Sequence, residues 1–310
     1  WASPLHMVKK ADGSWRPCGD YRRLNLVTTP DHYPLPNMQD LTGALHGAKV
    51  FSKMDLLKSY FQVPVHPNDI PKTAIITPFG TYTFAYSTFG LRNAGATFQR
   101  LMDSILGDLP FCSCYVDDIL VFSNSPEEHL GHMRTVLRRL QDNGLVIRFD
   151  KRIFATDKVD FLGHKISAAG VRPLTSKVKA GQDFPEPSSI KGLQEFIGMG
   201  NYYHRFIPYI ALTLAPLYDV LKGKPRKLKW EDPQRHAFRK TKAAFAQATT
   251  LVFHNPSAPL QLTTEASNLA CGAVLEQVVN GAPQPLAFYS RKLNPAETRY
   301  STFDRSSSPY

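Results

Sequence analysis

Phe111-Cys112-Ser113-Cys114-Tyr115-Val116-Asp117-Asp118-Ile119-Leu120-Val121-Phe122 decides the fold, because two adjacent carboxylates interrupt a stretch otherwise suited to the interior. The apolar runs 111–116 and 119–122 have the composition of buried strands, so the segment reads as a β-hairpin with acid at its tip. Like charges are costly there: at ~4 Å and an effective dielectric of ~20, two carboxylates repel by on the order of 4 kcal/mol. A cation offsets that repulsion, most simply a divalent metal. The alternative is a solvated turn that happens to carry two Asp, and residues elsewhere in the chain decide between the two.

The 310 residues are enough for two or three domains, and 43% hydrophobic with 20% charged residues is an ordinary globular balance. No window approaches 18 uninterrupted apolar residues and the start lacks a signal-peptide pattern, so a membrane span is not expected and an intracellular chain is. Cys18, Cys112, Cys114 and Cys271 show no C-x-x-C spacing and read as small core residues in a reducing compartment. A formal net charge of +11 is spread over Lys9-Lys10, Arg22-Arg23, Arg138-Arg139 and residues 222–229, which favours a polyanionic partner such as nucleic acid.

Around the acid hairpin the patterning alternates between strand and helix. Residues 1–25 read as a two-stranded ribbon and 49–55 as a strand ending in Asp55. Phe98, Leu101, Met102, Ile105 and Leu106 form a helical stripe, and a second helix starts at Ser125-Pro126 with Glu128 completing a capping box and ends at Gly144, its stripe being Leu130, Met133, Leu137 and Leu140. Helices on one side of an antiparallel sheet make an α+β domain. Beyond Gly170 come helices over 188–206, 212–221 and 232–248, then strands over 260–264 and 270–277.

Four motifs stand in order: Phe51-Ser52-Lys53-Met54-Asp55 with Tyr60 five residues on, Phe89-Gly90 leading to Phe98-Gln99, Tyr115-Val116-Asp117-Asp118, and Phe161-Leu162-Gly163-His164. With Lys9-Lys10 to Trp15-Arg16 and Asn201-Tyr202-Tyr203-His204-Arg205-Phe206, this order resembles the reverse transcriptases of gypsy-type LTR retrotransposons, over almost the whole chain. The resemblance implies a right-hand polymerase with an antiparallel palm sheet, followed by a partial RNase H-like α/β domain. The expected divisions are fingers and palm over 1–165, thumb over 166–225, a tether helix over 226–250 and the RNase H-like part over 251–310.

It implies as well that Asp55, Asp117 and Asp118 form a catalytic triad for two Mg²⁺ ions about 3.5–4 Å apart, Mn²⁺ being a substitute, with Asp118 in a supporting role. Tyr60 would exclude a 2′-hydroxyl. Lys9 (with Lys10 as rival) and Arg16 would clamp the triphosphate, and Phe89 and Gly90 would back the nucleotide pocket. Lys151 would protonate departing pyrophosphate, and Phe161, Leu162, Gly163 and His164 would grip the primer. Gln99 and Arg100 are open to two readings, template contact or a surface helix face. The implied partners are an RNA or DNA template with primer and dNTPs, with a homodimer left open and no membrane. The implied location is cytoplasmic, in a virus-like particle, or nuclear.

The chain departs from the family pattern at Gly95, where proline is usual, and at Arg152, where cysteine is usual. Glu265 replaces a metal-binding aspartate of the RNase H motif and Ser306 a metal-binding glutamate, so RNase H activity is expected to be lost. The sequence also reads as cut at both ends, which keeps a second function in view: a non-catalytic nucleic-acid-binding relic of a decayed retroelement.

Overall fold

The computed structural model describes residues 2–9, 13–37, 43–223, 227–301 and 304–305, with the backbone alone at Lys151. The chain divides into two compact units, Trp1–Ala44 with Ala48–Val159, and Leu45–Gly47 with Asp160–Tyr310.

In the first unit β1 (Ser3–Lys9) and β2 (Trp15–Gly19) form the expected ribbon, followed by the short helix α1 (Arg22–Val27). β3 (Val50–Leu56) leads into 3-10 turns at Ser59–Gln62 and Pro67–Thr73, then β4 (Ile75–Thr77) and β5 (Gly80–Tyr82). Next come α2 (Ala94–Leu106), β6 (Cys112–Tyr115), β7 (Asp118–Ser123), α3 (Pro126–Asp142) and β8 (Ile147–Thr156). Two four-stranded sheets result, ordered β2-β1-β4-β5 and β6-β7-β3-β8, the second wholly antiparallel.

The second sheet is amphipathic by alternation. Met54, Ile119 and Val121 point to one face and pack with Phe98, Met102 and Ile105 of α2 and Met133, Val136 and Leu140 of α3. Removing that much apolar surface from water is what holds the helices down, at roughly 25 cal/mol per Å². Strand alternation then sends Lys53 and Asp55 to the opposite face. Helix α3 begins as its sequence implies, with the Ser125 hydroxyl accepting from Glu128 N (3.2 Å), while the Glu128 carboxylate accepts from Asn124 N (2.9 Å). Its buried stripe is rotated from the expected one: Leu130 is 56% exposed and His129 is buried in its place. The reason is polar, since His129 lies between the hydroxyls of Ser52 (2.6 Å) and Ser123 (2.8 Å), and the Ser52 hydroxyl also accepts from Ala155 N.

The boundary between units falls within β9 (Lys158–Phe161). The second unit continues with β10 (His164–Ser167) and β11 (Gly170–Pro173), then helices α4 (Thr175–Gln182), α5 (Ile190–Tyr202), α6 (Ile210–Leu221) and α7 (Asp232–Phe245). Its helical core is aromatic, with Phe196 centred 4.6 Å from Phe238 and 5.3 Å from Phe184. An antiparallel meander follows, β12 (Leu260–Ala266), β13 (Ala270–Val279) and β14 (Ala282–Lys292). The third of these strands has no counterpart in the sequence reading, because its prolines at 283 and 285 disguise an edge strand.

Candidate active site

Register brings the acids together. β3 and β7 pair Asp55 directly with Asp118, and β6 and β7 pair Tyr115 with Asp118, leaving Val116 and Asp117 as a two-residue turn. Leu56 N donates to Asp117 O (3.3 Å), which ties the turn to the end of β3. Burial first, and the Asp118 charge after it, raise the Asp117 carboxyl above the ordinary Asp range, while the Ser59 hydroxyl donates to it at 3.4 Å.

The cation beside these acids is one that the sequence reading missed. Lys53 Nζ lies 2.8 Å from Asp118 Oδ1 and 3.9 Å from Asp55 Oδ1. Its signal was its place two residues before Asp55 on one strand, hence on the same face.

The turn itself is strained. Val116 has φ of 54°, a conformation that hairpin turns reserve for Gly or Asn and that costs a β-branched residue about 1–3 kcal/mol. Gln99 of α2 holds it. This fully buried amide accepts from Val116 N (2.7 Å) and donates to Cys114 O (3.0 Å) and Asp103 Oδ1 (2.9 Å). Neither earlier reading of Gln99 survives, since it faces the hairpin rather than template or solvent. Arg100, its neighbour, pairs with Asp31 (2.7 Å) and stacks on Tyr33. Gln99→Leu would leave a buried N–H and a buried C=O without partners. We expect that variant to lose roughly 2–3 kcal/mol, measured by urea unfolding, because unsatisfied buried groups each cost about 1–3 kcal/mol.

Beside the acids lies an aromatic wall. Tyr60 meets Phe89 (5.2 Å) and Phe98 (5.7 Å) edge to face, and its phenol pKa is raised by burial and then by the Asp117 charge. The Arg16 guanidinium stacks 4.4 Å from the Phe89 ring centre. Gly90 has φ of 94°, and a Cβ there would stand 2.7 Å from Gly19 O, so glycine is required. Asn25 fastens this loop, donating to Gly90 O (2.8 Å) and accepting from Arg92 N (2.9 Å). Lys9 does not join the group: it pairs with Trp15 while Arg16 pairs with Val8, so the register puts Lys9 and Arg16 on opposite faces of the ribbon. Lys10 and the side chain of Lys151 lie outside the described residues.

In the second unit, residues 161–164 form a turn with positive φ at Leu162 (44°) and Gly163 (77°). Tyr202 donates to Leu162 O (2.7 Å), Tyr203 to Gly163 O (3.2 Å) and His164 Nδ1 to Leu162 O (2.7 Å). Burial lowers the His164 pKa to about 4, so the folded state holds neutral imidazole. The stability this contributes is complete above the unfolded-state value near 6.5 and is lost as pH falls through that value toward 4. His164→Gln should therefore lose roughly 3 kcal/mol less stability than the parent between pH 7 and 4, in urea titrations at fixed pH.

At the other candidate centre, Tyr209, itself at φ 53°, lies against Gly272, where a Cβ would stand 2.7 Å from its ring. Its phenol pKa is raised first by a hydrogen bond to Glu265. Ser306 lies outside the described residues.

Among the described residues, no three or more His, Cys, Asp or Glu form a ready metal cage, and no helix is long and apolar enough to cross a membrane. The acids at this end of the sheet, Asp55 opposite Asp118 with Asp117 in the adjoining turn, are nevertheless of the right chemistry for Mg²⁺, which takes one or two carboxylates and keeps positions for water and phosphate oxygens. The observation that supports the fit is the Asp117 carboxyl, raised by burial and by its acidic neighbour, whose ionised form a cation would favour.

Comparison with known proteins agrees with this geometry. The family model "Reverse transcriptase (RNA-dependent DNA polymerase)" matches residues 8–166, and "RNase H-like domain found in reverse transcriptase" matches residues 230–307. The chain is 39% identical over 310 residues to the retrovirus-related Pol polyprotein from transposon 297 of Drosophila melanogaster, covering 98% of this chain and 29% of that protein. With the Pol polyprotein from transposon gypsy of the same species it shares 34% over 299 residues, covering 92% and 28%. It thus spans less than a third of these relatives. A foamy viral protease-reverse transcriptase solved in complex with double-stranded DNA superposes with a TM-score of 0.90 over 98% of this chain and 54% of that one. At 23% identity, that likeness speaks for the fold alone. An acid hairpin on an antiparallel sheet, and a family model that matches it over half the chain, lead to one conclusion: this chain belongs to the reverse transcriptase family.

Proposed function

We propose that the chain is the RNA-directed DNA polymerase portion of a retrotransposon Pol polyprotein, extending a primer 3′-hydroxyl with deoxynucleotides on an RNA or DNA template. The observation that carries this reading is the pairing of Asp55 with Asp118 beside the half-buried Asp117. In this reading Asp55 and Asp117 hold divalent metal. When bound, Mg²⁺ supplies Lewis acidity at the primer hydroxyl and neutralises charge on the triphosphate.

The chain's own residues do the rest. Arg16, pre-oriented on Phe89, offers its guanidinium to the phosphates and stabilises charge developing on the leaving pyrophosphate. Gly90 admits the nucleotide against bare backbone, and the Tyr60 ring supports the sugar. Gln99 keeps Asp117 in place by holding the turn that carries it. The net charge of +11 supplies non-specific attraction for the template and primer backbone. The turn at 161–164 is proposed to contact the primer.

We propose further that the RNase H-like part lacks nuclease activity, supported by Glu265 in place of aspartate and by its bond to Tyr209. The deciding experiment is extension of a DNA primer on an RNA template with dNTPs and Mg²⁺, with and without EDTA. Extension abolished by EDTA, with no degradation of the template strand, is the expected result. Duplex binding that is indifferent to EDTA, with no extension, would make the chain a binding relic instead.

A further inference from the structure

Lys53 is unexplained by the proposed chemistry, yet its ammonium lies within 4 Å of a carboxylate oxygen of both Asp118 and Asp55. Its cross-strand partner on β7 is Leu120, so its side chain reaches diagonally by one strand step to Asp118. Both groups are largely withdrawn from water, with side-chain exposures of 20% and 29%, and Asp55 is at 20%. A 2.8 Å ion pair at that depth is not a rim contact worth a few tenths of a kcal/mol. It orients one carboxylate oxygen of Asp118 toward Lys53. It also places an ammonium where a divalent ion would approach Asp55.

We propose that Lys53 is a positioning residue that keeps Asp118 out of the metal ligand set and lowers the affinity of Asp55 and Asp117 for divalent cation until nucleotide arrives. The inference rests on the proposed metal role of Asp55 and Asp117. Three carboxylates with no ammonium would attract a divalent ion at all times. With Lys53 in place the resident charge is less negative by one, and the triphosphate of a bound nucleotide supplies the missing attraction. Ion binding thereby becomes coupled to substrate binding. Because the coupling is reciprocal, nucleotide affinity rises with metal to the same degree.

Direct titration of Mn²⁺ into the full chain, read by electron paramagnetic resonance of the free ion and without nucleotide, tests this. Lys53→Met should bind Mn²⁺ about tenfold more tightly than the parent, since one repelling charge nearby is removed. Lys53→Arg, which keeps the charge, should bind within about twofold of the parent, and Asp117→Asn should lose the site. Unchanged or weaker binding in Lys53→Met, with Asp117→Asn still losing the site, overturns the Lys53 inference alone. Binding that ignores Asp117→Asn overturns the metal site and the inference with it. A lysine that merely braced the sheet would change the unfolding midpoint and leave Mn²⁺ affinity untouched. Should Lys53→Met fail to fold by circular dichroism, Lys53→Gln takes its place with the same expected shift.

Discussion

Asp117→Asn should abolish primer extension, lowering turnover by at least about 10³-fold, while leaving the unfolding midpoint unchanged or higher. The two halves of this expectation come from the same geometry. Asparagine has the shape of aspartate, so the Val116-Asp117 turn, its tie from Leu56 N and its contact with Ser59 are kept. What is lost is a charge that the fold itself holds at a disadvantage, because burial and then Asp118 raise the carboxyl pKa. A group whose folded pKa is raised above its unfolded value destabilises the native state once ionised, so its neutral isostere cannot cost stability on that account. The charge that the fold tolerates is therefore kept for another purpose, which the proposed function identifies as holding metal. Single-turnover extension beside urea unfolding measures both halves. Extension within about tenfold of the parent would remove Asp117 from the chemistry, and a large drop in midpoint would make it structural.

The Asp117-Asp118 pair stood out in the sequence because carboxylates between apolar strands conflict with local pattern, and such conflicts concentrate at functional sites, whereas Asp55 was joined to it only through the family resemblance. That Asp55 stands directly opposite Asp118 comes from the antiparallel register of β3 and β7, which the residue pattern alone did not fix. What stayed hidden were the residues that serve the triad through space. Gln99 sits one position from Phe98 on α2 and is as polar as any surface residue. Its burial is intelligible only when the strained Val116 N–H is seen above it. His129 was missed for the same reason: a polar residue inside an apolar stripe looks exposed until Ser52 and Ser123 are placed beside it. Lys9 shows the opposite failure. Sequence proximity to Arg16 across a short turn suggested a joint clamp, but a one-residue difference in register reverses the face. Tyr209, acting on Glu265 from fifty-six positions away in sequence, had no local signal at all.

The second large effect concerns the choice of sugar. Tyr60 stands on the 3-10 turn that follows β3 and is gripped edge to face by Phe89 and Phe98, at interplanar angles of 86° and 78°. A ring fixed by two others cannot swing aside to admit a bulkier substrate, since rotating it would break both contacts. Tyr60 is only partly buried, packed against the edge of the core that lies under β3 and β7, and after burial the Asp117 charge is the next cause raising its phenol pKa. Tyr60→Val removes the ring and leaves the 3-10 turn in place. We expect the ratio of kcat/KM for a deoxynucleotide over its ribonucleotide to fall about 100-fold, at the upper end of what one steric contact discriminates. Tyr60→Phe should keep the ratio within about threefold, because the obstruction is the ring and not its hydroxyl. Competition between dCTP and CTP on one template measures both variants. If Tyr60→Val discriminates as well as the parent, then the ring is packing only and the sugar is read elsewhere. If Tyr60→Phe loses discrimination too, the phenol hydroxyl beside Asp117, and not the bulk of the ring, is what the sugar meets.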